Sequence, residues 1–290
     1  MKTYLDCIPC FFKQALDAAR LTAANQPTQR KILDALSKEI LNFPLEASPP
    51  QMGQILYRLV HTITNNNDPF DEIKRQSNKL ALRLYPQLKQ KVKQAKNKLL
   101  AAVELAIAGN IIDYGVKHCL DIGKEIDKIF VQEDRLIHKE DQAIFAYPAF
   151  EQALKKAKKI LYIGDNAGEV VFDRVLIEQL KGKKVIYAVR ESPIINDALV
   201  EDAVLCGMHK VARIISSGCA APGTILKLCS DEFQRIYRQA QMVISKGQGN
   251  FEALGEERRP VFFLFRAKCP VVAKHLKCKI GAIILKLSAA

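Results

Sequence analysis

The residues best placed to do chemistry lie in Ile160-Leu161-Tyr162-Ile163-Gly164-Asp165-Asn166-Ala167-Gly168-Glu169, where an apolar, β-prone run stops at a carboxylate, a carboxamide and two glycines. Oxygen donors of this kind suit a hard divalent cation such as Mg²⁺ or Mn²⁺. Asp165 and Asn166 are therefore candidate metal ligands, and Asp165 is also a candidate catalytic residue. Turn chemistry is the competing explanation, because Asp and Asn both cap helices and bend chains. A further carboxylate, Asp197, ends the segment Arg-Glu-Ser-Pro-Ile-Ile-Asn-Asp at residues 190–197, after another β-prone run. It either completes the coordination begun by Asp165 and Asn166 or caps a helix over 198–205.

A third polar cluster is Lys246-Gly247-Gln248-Gly249-Asn250-Phe251-Glu252. Lys246 is a compact cation suited to a phosphate, and Gly247 and Gly249 leave backbone N–H groups approachable. With Asn250 they make a candidate catalytic and substrate-binding loop; an ordinary turn lysine is the alternative. The flexible loop 216–224 also leads from a strand into a helix and could receive an anion. Neither loop matches the dinucleotide or P-loop fingerprint. Within the first half, Gly109-Asn110-Ile111-Ile112-Asp113 interrupts a helical pattern, and Asn110 and Asp113 either face a cleft or turn the chain.

Cys7-Ile8-Pro9-Cys10 is a Cys-x-x-Cys with no second pair to complete a four-cysteine zinc site. Cys269 is a possible third thiolate, so Cys7, Cys10 and Cys269 form a candidate second metal or redox site. Apolar packing of the thiols is the alternative. His61, His118, His138, His209 and His275 stand singly and supply neither a ligand pair nor a triad.

The elements that must position these residues fall into two kinds. From Pro9 to about Ile107 apolar residues recur at helical spacing. Ser48-Pro49 starts one helix, Asp68-Pro69 starts another, and Pro86 interrupts or restarts the pattern. After Phe150, strand-like runs at 160–163, 184–189, 211–215, 242–245, 261–265 and 282–285 alternate with helices. That alternation predicts a mainly parallel sheet covered on both faces. The fold class is α/β: an N-terminal helical domain over 1–150, then a Rossmann-like three-layer α/β/α domain over 151–290. In such sheets ligands bind beyond the carboxyl ends of the strands, where all three polar clusters fall.

Composition narrows the partners. The 290 residues are 49% hydrophobic, which is ordinary for a globular chain. No apolar run is long enough for a bilayer, and the first residues lack a basic segment followed by an apolar core. A cytoplasmic chain with reduced thiols is the expectation for the eight cysteines. The net charge of +13 lies mostly on Lys-rich helical surfaces without interleaved aromatics, and Trp is absent, so nucleic acid is not an expected partner.

Taken together, Cys7 to Cys10, Gly109 to Asp113, Gly164 to Glu169, Pro193-Ile194-Ile195-Asn196-Asp197-Ala198, Lys246 to Glu252 and Lys268-Cys269-Pro270 resemble the damage-control phosphatase family, once catalogued as a domain of unknown function. The resemblance runs over nearly the whole chain, and the Cys-x-x-Cys is similar to that of its archaeal and bacterial subgroup. It implies a helical domain beside an α/β/α domain, and metal-dependent hydrolysis of a phosphate monoester of a small metabolite: a sugar phosphate or phosphopantetheine-like compound, often a damaged one. It places the divalent ion (Mg, Mn, Co or Ni) on Asp165, Asn166 and Asp197, a phosphate-contacting lysine on Lys246, and cleft-lining roles on Asn110 and Asp113. Two rival readings remain: an S-adenosylmethionine-dependent methyltransferase, and a non-enzymatic basic module that binds nucleic acid or metal.

Overall fold

Strands buried on both faces need apolar residues at nearly every position, and this is how the second half of the chain is built. The structure is a computed structural model describing residues 1–109 and 144–288. Asn110 and Asp113 thus lie outside the described residues. Strands β1 (Lys159–Ile163), β2 (Lys184–Val189), β3 (Arg213–Ser216), β4 (Met242–Lys246), β5 (Phe262–Arg266) and β6 (Ile283–Leu287) form one sheet in the order β3-β2-β1-β4-β5-β6. All neighbours pair in parallel except β5 and β6. The order reverses between β1 and β4, the switch point at which a crevice opens above an α/β sheet.

The helices preceding the sheet are α1 (Cys7–Leu21), α2 (Gln26–Asn42), α3 (Pro49–Thr64), α4 (Asp71–Gln94), α5 (Lys98–Ala108) and α6 (Tyr147–Lys156). Those that follow strands are α7 (Glu169–Ile177), α8 (Val200–Leu205), α9 (Asp231–Gln239), α10 (Gln248–Leu254) and α11 (Pro270–Leu276). Side-chain alternation along β1 shows the layering. Ile160 and Tyr162 join a core with α4, α5 and α7, whereas Leu161 and Ile163 join one with α9, α10 and α11. Helices α1 to α3 make a third core, with Phe11, Leu36, Leu56 and Val60 inside it. The packing of the N-terminal helices is therefore split: α4 and α5 cover the sheet, and α1 to α3 pack on one another.

Local signals explain most boundaries. Ser48 precedes α3, and its N–H donates to Gln51 Oε1 at 2.8 Å, satisfying one end of a capping pair. Pro86, expected to interrupt its helix, lies inside α4 instead. It is exposed, so the carbonyl one turn back that loses its helical donor can turn to water, and the helix continues. Asp68-Pro69 leads into α4, which starts two residues later than the proline would place it. Asp68 instead accepts from Phe70 N at 3.2 Å and pairs with the buried Lys74 at 2.7 Å.

The helical layer meets the sheet at the strand ends. Helix α3 packs against α10, with the turn at Pro222 wedged beside them. A Cβ on Gly249 would fall 1.9 Å from the Pro222 carbonyl oxygen, so only glycine permits this approach. Gly249→Ala should lower the free energy of urea unfolding by about 1–3 kcal/mol, the usual cost of overpacking. An unchanged unfolding midpoint would contradict this packing.

Candidate functional site

Two chain segments leave the sheet side by side at the switch point. Beyond β1, Asp165 O accepts from Ala198 N at 2.8 Å, and Ala167 N donates to Asn196 O at 2.8 Å. Asn166 and Asp197 form an antiparallel bridge between these segments. This stitching brings Asp165, Asn166 and Asp197 to one cleft of about 520 Å³, lined also by α1, α3, α10 and the start of α11. Asp197 does not cap a helix: α8 begins at Val200, and Asp202 Oδ2 takes the N–H of Leu199 there.

Each of the three side chains is held from behind. Arg190, buried, donates from Nε to Asp197 Oδ2 at 2.6 Å, from Nη1 to Thr224 Oγ1 at 2.9 Å and from Nη2 to Asn250 Oδ1 at 3.0 Å. Asn166 Nδ2 donates to Glu169 Oε1 at 2.9 Å and, more weakly, to Asp165 Oδ2 at 3.3 Å. The carboxyl of Asp165 lies against Gly247, where a Cβ would sit 2.1 Å from its Cγ. Gly247 has φ +85°, which also favours glycine.

Electrostatics follow from the crowding. Burial pushes the Asp165 carboxyl well above the usual carboxylate range, and the charges of Asp197 and Glu169 push the same way, against Lys268 and Arg190. Burial also raises Asp197, with Arg190 as the main opposing influence. Two buried carboxylates and a carboxamide facing one cleft form a hard oxygen donor set short of positive charge. Such a set fits a divalent cation that keeps several waters.

The lysine of the third cluster is placed differently from the sequence expectation. Lys246 is 1% exposed and is not among the cleft-lining residues. Its ammonium donates to Asp173 Oδ1 at 2.7 Å and to Glu169 Oε2 at 3.0 Å. Burial opposes its charge, but Asp173 and Glu169 outweigh that and hold its pKa above the ordinary value. Tyr162 and Tyr187 hydroxyls complete the buried set, each donating to Asp173 at 2.8 Å. Gly247 N donates to Leu264 O at 3.1 Å and is thus spent on the sheet. Asn250, wholly buried, donates to Gly164 O and Lys246 O, while its Oδ1 receives Arg190 and Thr224. Of this loop, Gly249 lines the cleft, along with Gln248 and Glu252.

All three candidate thiols line the same cleft. Cys10 accepts from Gln14 Nε2 at 3.1 Å, and Cys269 caps α11 by accepting from Val272 N at 3.4 Å. Burial raises the Cys7 thiol. Among the described residues no three His, Cys, Asp or Glu side chains gather as a metal-binding group. The sulfurs therefore make no ready-formed three-thiolate site, and the two aspartates depend on Asn166 as a third donor.

Three functional positions had no role in the sequence reading. Arg190 backs Asp197, Glu169 links Lys246 to Asn166, and Lys268 brings an exposed cation to the cleft within electrostatic reach of both aspartates. Glu169 and Asp173 were readable: they are the two acids, one turn apart, in the helix EVVFDRVLI, whose other residues except Arg174 are apolar.

Comparison with known proteins gives a consistent result. A family model described as the damage-control phosphatase ARMT1-like domain matches residues 3–284. The damage-control phosphatase PH1575 of Pyrococcus horikoshii is 34% identical over 290 residues, spanning 98% of this chain and 97% of that protein. The crystal structure of that protein, titled a DUF89 family protein, superposes with a TM-score of 0.88 at 32% identity and full coverage of both chains. A damage-control phosphatase of Archaeoglobus fulgidus is 28% identical over 97% of each chain. The 4'-phosphopantetheine phosphatase of Mus musculus is 23% identical over 76% of this chain and 31% of its own length.

Two measurements test the site's electrostatics. Lys246→Met leaves Glu169 and Asp173 buried without their cation and should cost about 3–5 kcal/mol of unfolding free energy; a variant as stable as the parent would contradict the buried triad. Glu252, 9% exposed, has its carboxyl pushed up to about 7 by burial, against the Gln248 donor and the chain's amino terminus. The unfolded chain releases that proton near 4.5, so between 4.5 and 7 the folded state binds more protons. Stability should therefore fall as pH rises through this window, by roughly 3 kcal/mol more in the parent than in Glu252→Gln. Equal pH slopes for the two would contradict this assignment.

Proposed function

The chain belongs to the family of the damage-control phosphatase ARMT1-like domain, and from that premise we propose that it is a metal-dependent phosphatase that hydrolyses a phosphate monoester of a small metabolite. The observation carrying this reading is the convergence of Asp165, Asn166 and Asp197 on one cleft at the switch point of the sheet. These residues would hold the divalent ion, Mg²⁺, Mn²⁺, Co²⁺ or Ni²⁺. Bound there, such an ion supplies Lewis-acid charge to a phosphoryl group.

The remaining work falls to the chain's own side chains. Arg190 fixes Asp197, and Lys246 fixes Asn166 through Glu169, so the donors are oriented before a substrate arrives. Lys268, at the cleft, is the cation positioned to meet phosphate oxygens, the role that the family resemblance gives to Lys246. Lys246 then acts as a positioning residue.

The cleft, at about 520 Å³, has the size of a small-molecule site, in keeping with a sugar phosphate or a phosphopantetheine-like ester, native or damaged. A phosphatase screen over such esters with Mg²⁺, Mn²⁺, Co²⁺ and Ni²⁺ should show metal-dependent phosphate release. Asp165→Asn should reduce it by at least about 100-fold without unfolding the chain. Lys268→Met should raise KM more than it lowers kcat. Full turnover by a folded Asp165→Asn variant stripped of metal would overturn the proposal.

A further inference from the structure

A thiol pair outside the cleft lies where the loop after β3 closes on itself. Ser230 N donates to Ser217 O at 3.0 Å, drawing the two ends of the loop together. Just inside that neck stand Cys219 and Cys229, both buried in one core. Their sulfurs point into the same small loop interior: Cys219 Sγ donates to Gly223 O at 3.5 Å, and Cys229 Sγ to Ile225 O at 3.4 Å. The two side chains are near enough for each to influence the other's titration.

We propose that Cys219 and Cys229 are a redox pair that forms a reversible disulfide, clamping the loop that buttresses the cleft. The loop between them carries Thr224, which receives Arg190 Nη1 and donates from its N–H to Asn250 Oδ1. It also carries Pro222, which sits against Gly249. Closing it covalently would hold in place the partners of the arginine that orients Asp197, and the cross-link restricts the unfolded chain.

Hydrogen peroxide is the fitting oxidant, because a small neutral molecule can reach a thiol that a bulky disulfide cannot. The Cys219 sulfur attacks peroxide, the O–O bond breaks, and Cys219 sulfenic acid and water form. The Cys229 sulfur then displaces the sulfenic oxygen as a second water, giving the S–S bond. Overall two thiols lose two electrons and two protons to one peroxide. The order of events has a physical basis: the neighbouring Cys229 side chain, with the charge of Arg190, holds the Cys219 thiol below the ordinary thiol range against burial. Cys206, also buried but pushed up to about 12, serves as the unreactive comparison.

The full-length protein is treated with graded peroxide, its free thiols are blocked in denaturant, and its peptides are mapped by mass spectrometry. The expected result is a linked Cys219–Cys229 peptide that disappears on reduction, while Cys206 stays alkylatable. The oxidised parent should unfold at a higher urea concentration than the reduced one, a shift absent from Cys229→Ser. In that variant a sulfenic-acid trap should label Cys219. Full alkylation of Cys219 and Cys229 in protein whose exposed Cys10 has been oxidised would overturn the proposal. If Cys229→Ser does not fold, the map of the parent decides alone.

Discussion

Burying several carboxylates together is the constraint on which this structure turns. Asp165, Asp197 and Glu169 crowd the switch point of the sheet, all nearly excluded from water. Like charges in that setting repel and lose hydration, so the arrangement persists only where cations and hydrogen bonds compensate. Arg190 does this for Asp197 and Lys246 does it for Glu169, both from the protein side. Among the described residues, Asp165 receives a long bond from Asn166 and the more distant influence of Lys268 and Arg190. The donor set is thus compensated from within and short of charge toward the cleft, the condition in which a divalent cation binds to advantage.

That asymmetry explains why so much of the surrounding architecture is polar and buried. Tyr162 and Tyr187 are in register on β1 and β2, stack on each other, and both donate to Asp173. Asp173 with Lys246 and Glu169 then forms a connected network running from the sheet interior to Asn166. On the other side, Arg190, Thr224 and Asn250 tie the ends of β2 and β4 to the loop after β3. These contacts fix geometry more than they add stability, since buried polar networks repay their desolvation only when every member is satisfied. The helical layer supplies the opposite wall of the cleft through α1 and α3, seated by the close approach of Pro222 to Gly249.

Much of this was legible in the sequence. The six strands stood out because two-sided burial selects continuous runs of Ile, Val, Phe and Tyr, and the strand-end rule marked Asp165, Asn166 and Asp197 as neighbours. Lys246 was harder to read. A lysine before a glycine at a strand end has the same local pattern whether it faces a phosphate or an internal carboxylate, and only tertiary packing brings Glu169 and Asp173 to it. Lys268 hid for a related reason: it lies beyond the end of β5, and its relevance depends on the cleft lying above β1 and β4. Pro86 misled because a proline's penalty depends on whether the orphaned carbonyl can find water, which exposure settles and sequence does not.

The most direct test of the central claim is a Mn²⁺ titration of the folded full-length chain, followed by electron paramagnetic resonance, in the parent and in Asp165→Asn and Asp197→Asn. One bound ion per chain, lost in either variant while the fold is retained, is the expected result. Absence of binding by the parent, or binding unaltered by both substitutions, would contradict the claim that strand-end carboxylates gather around a shared cation.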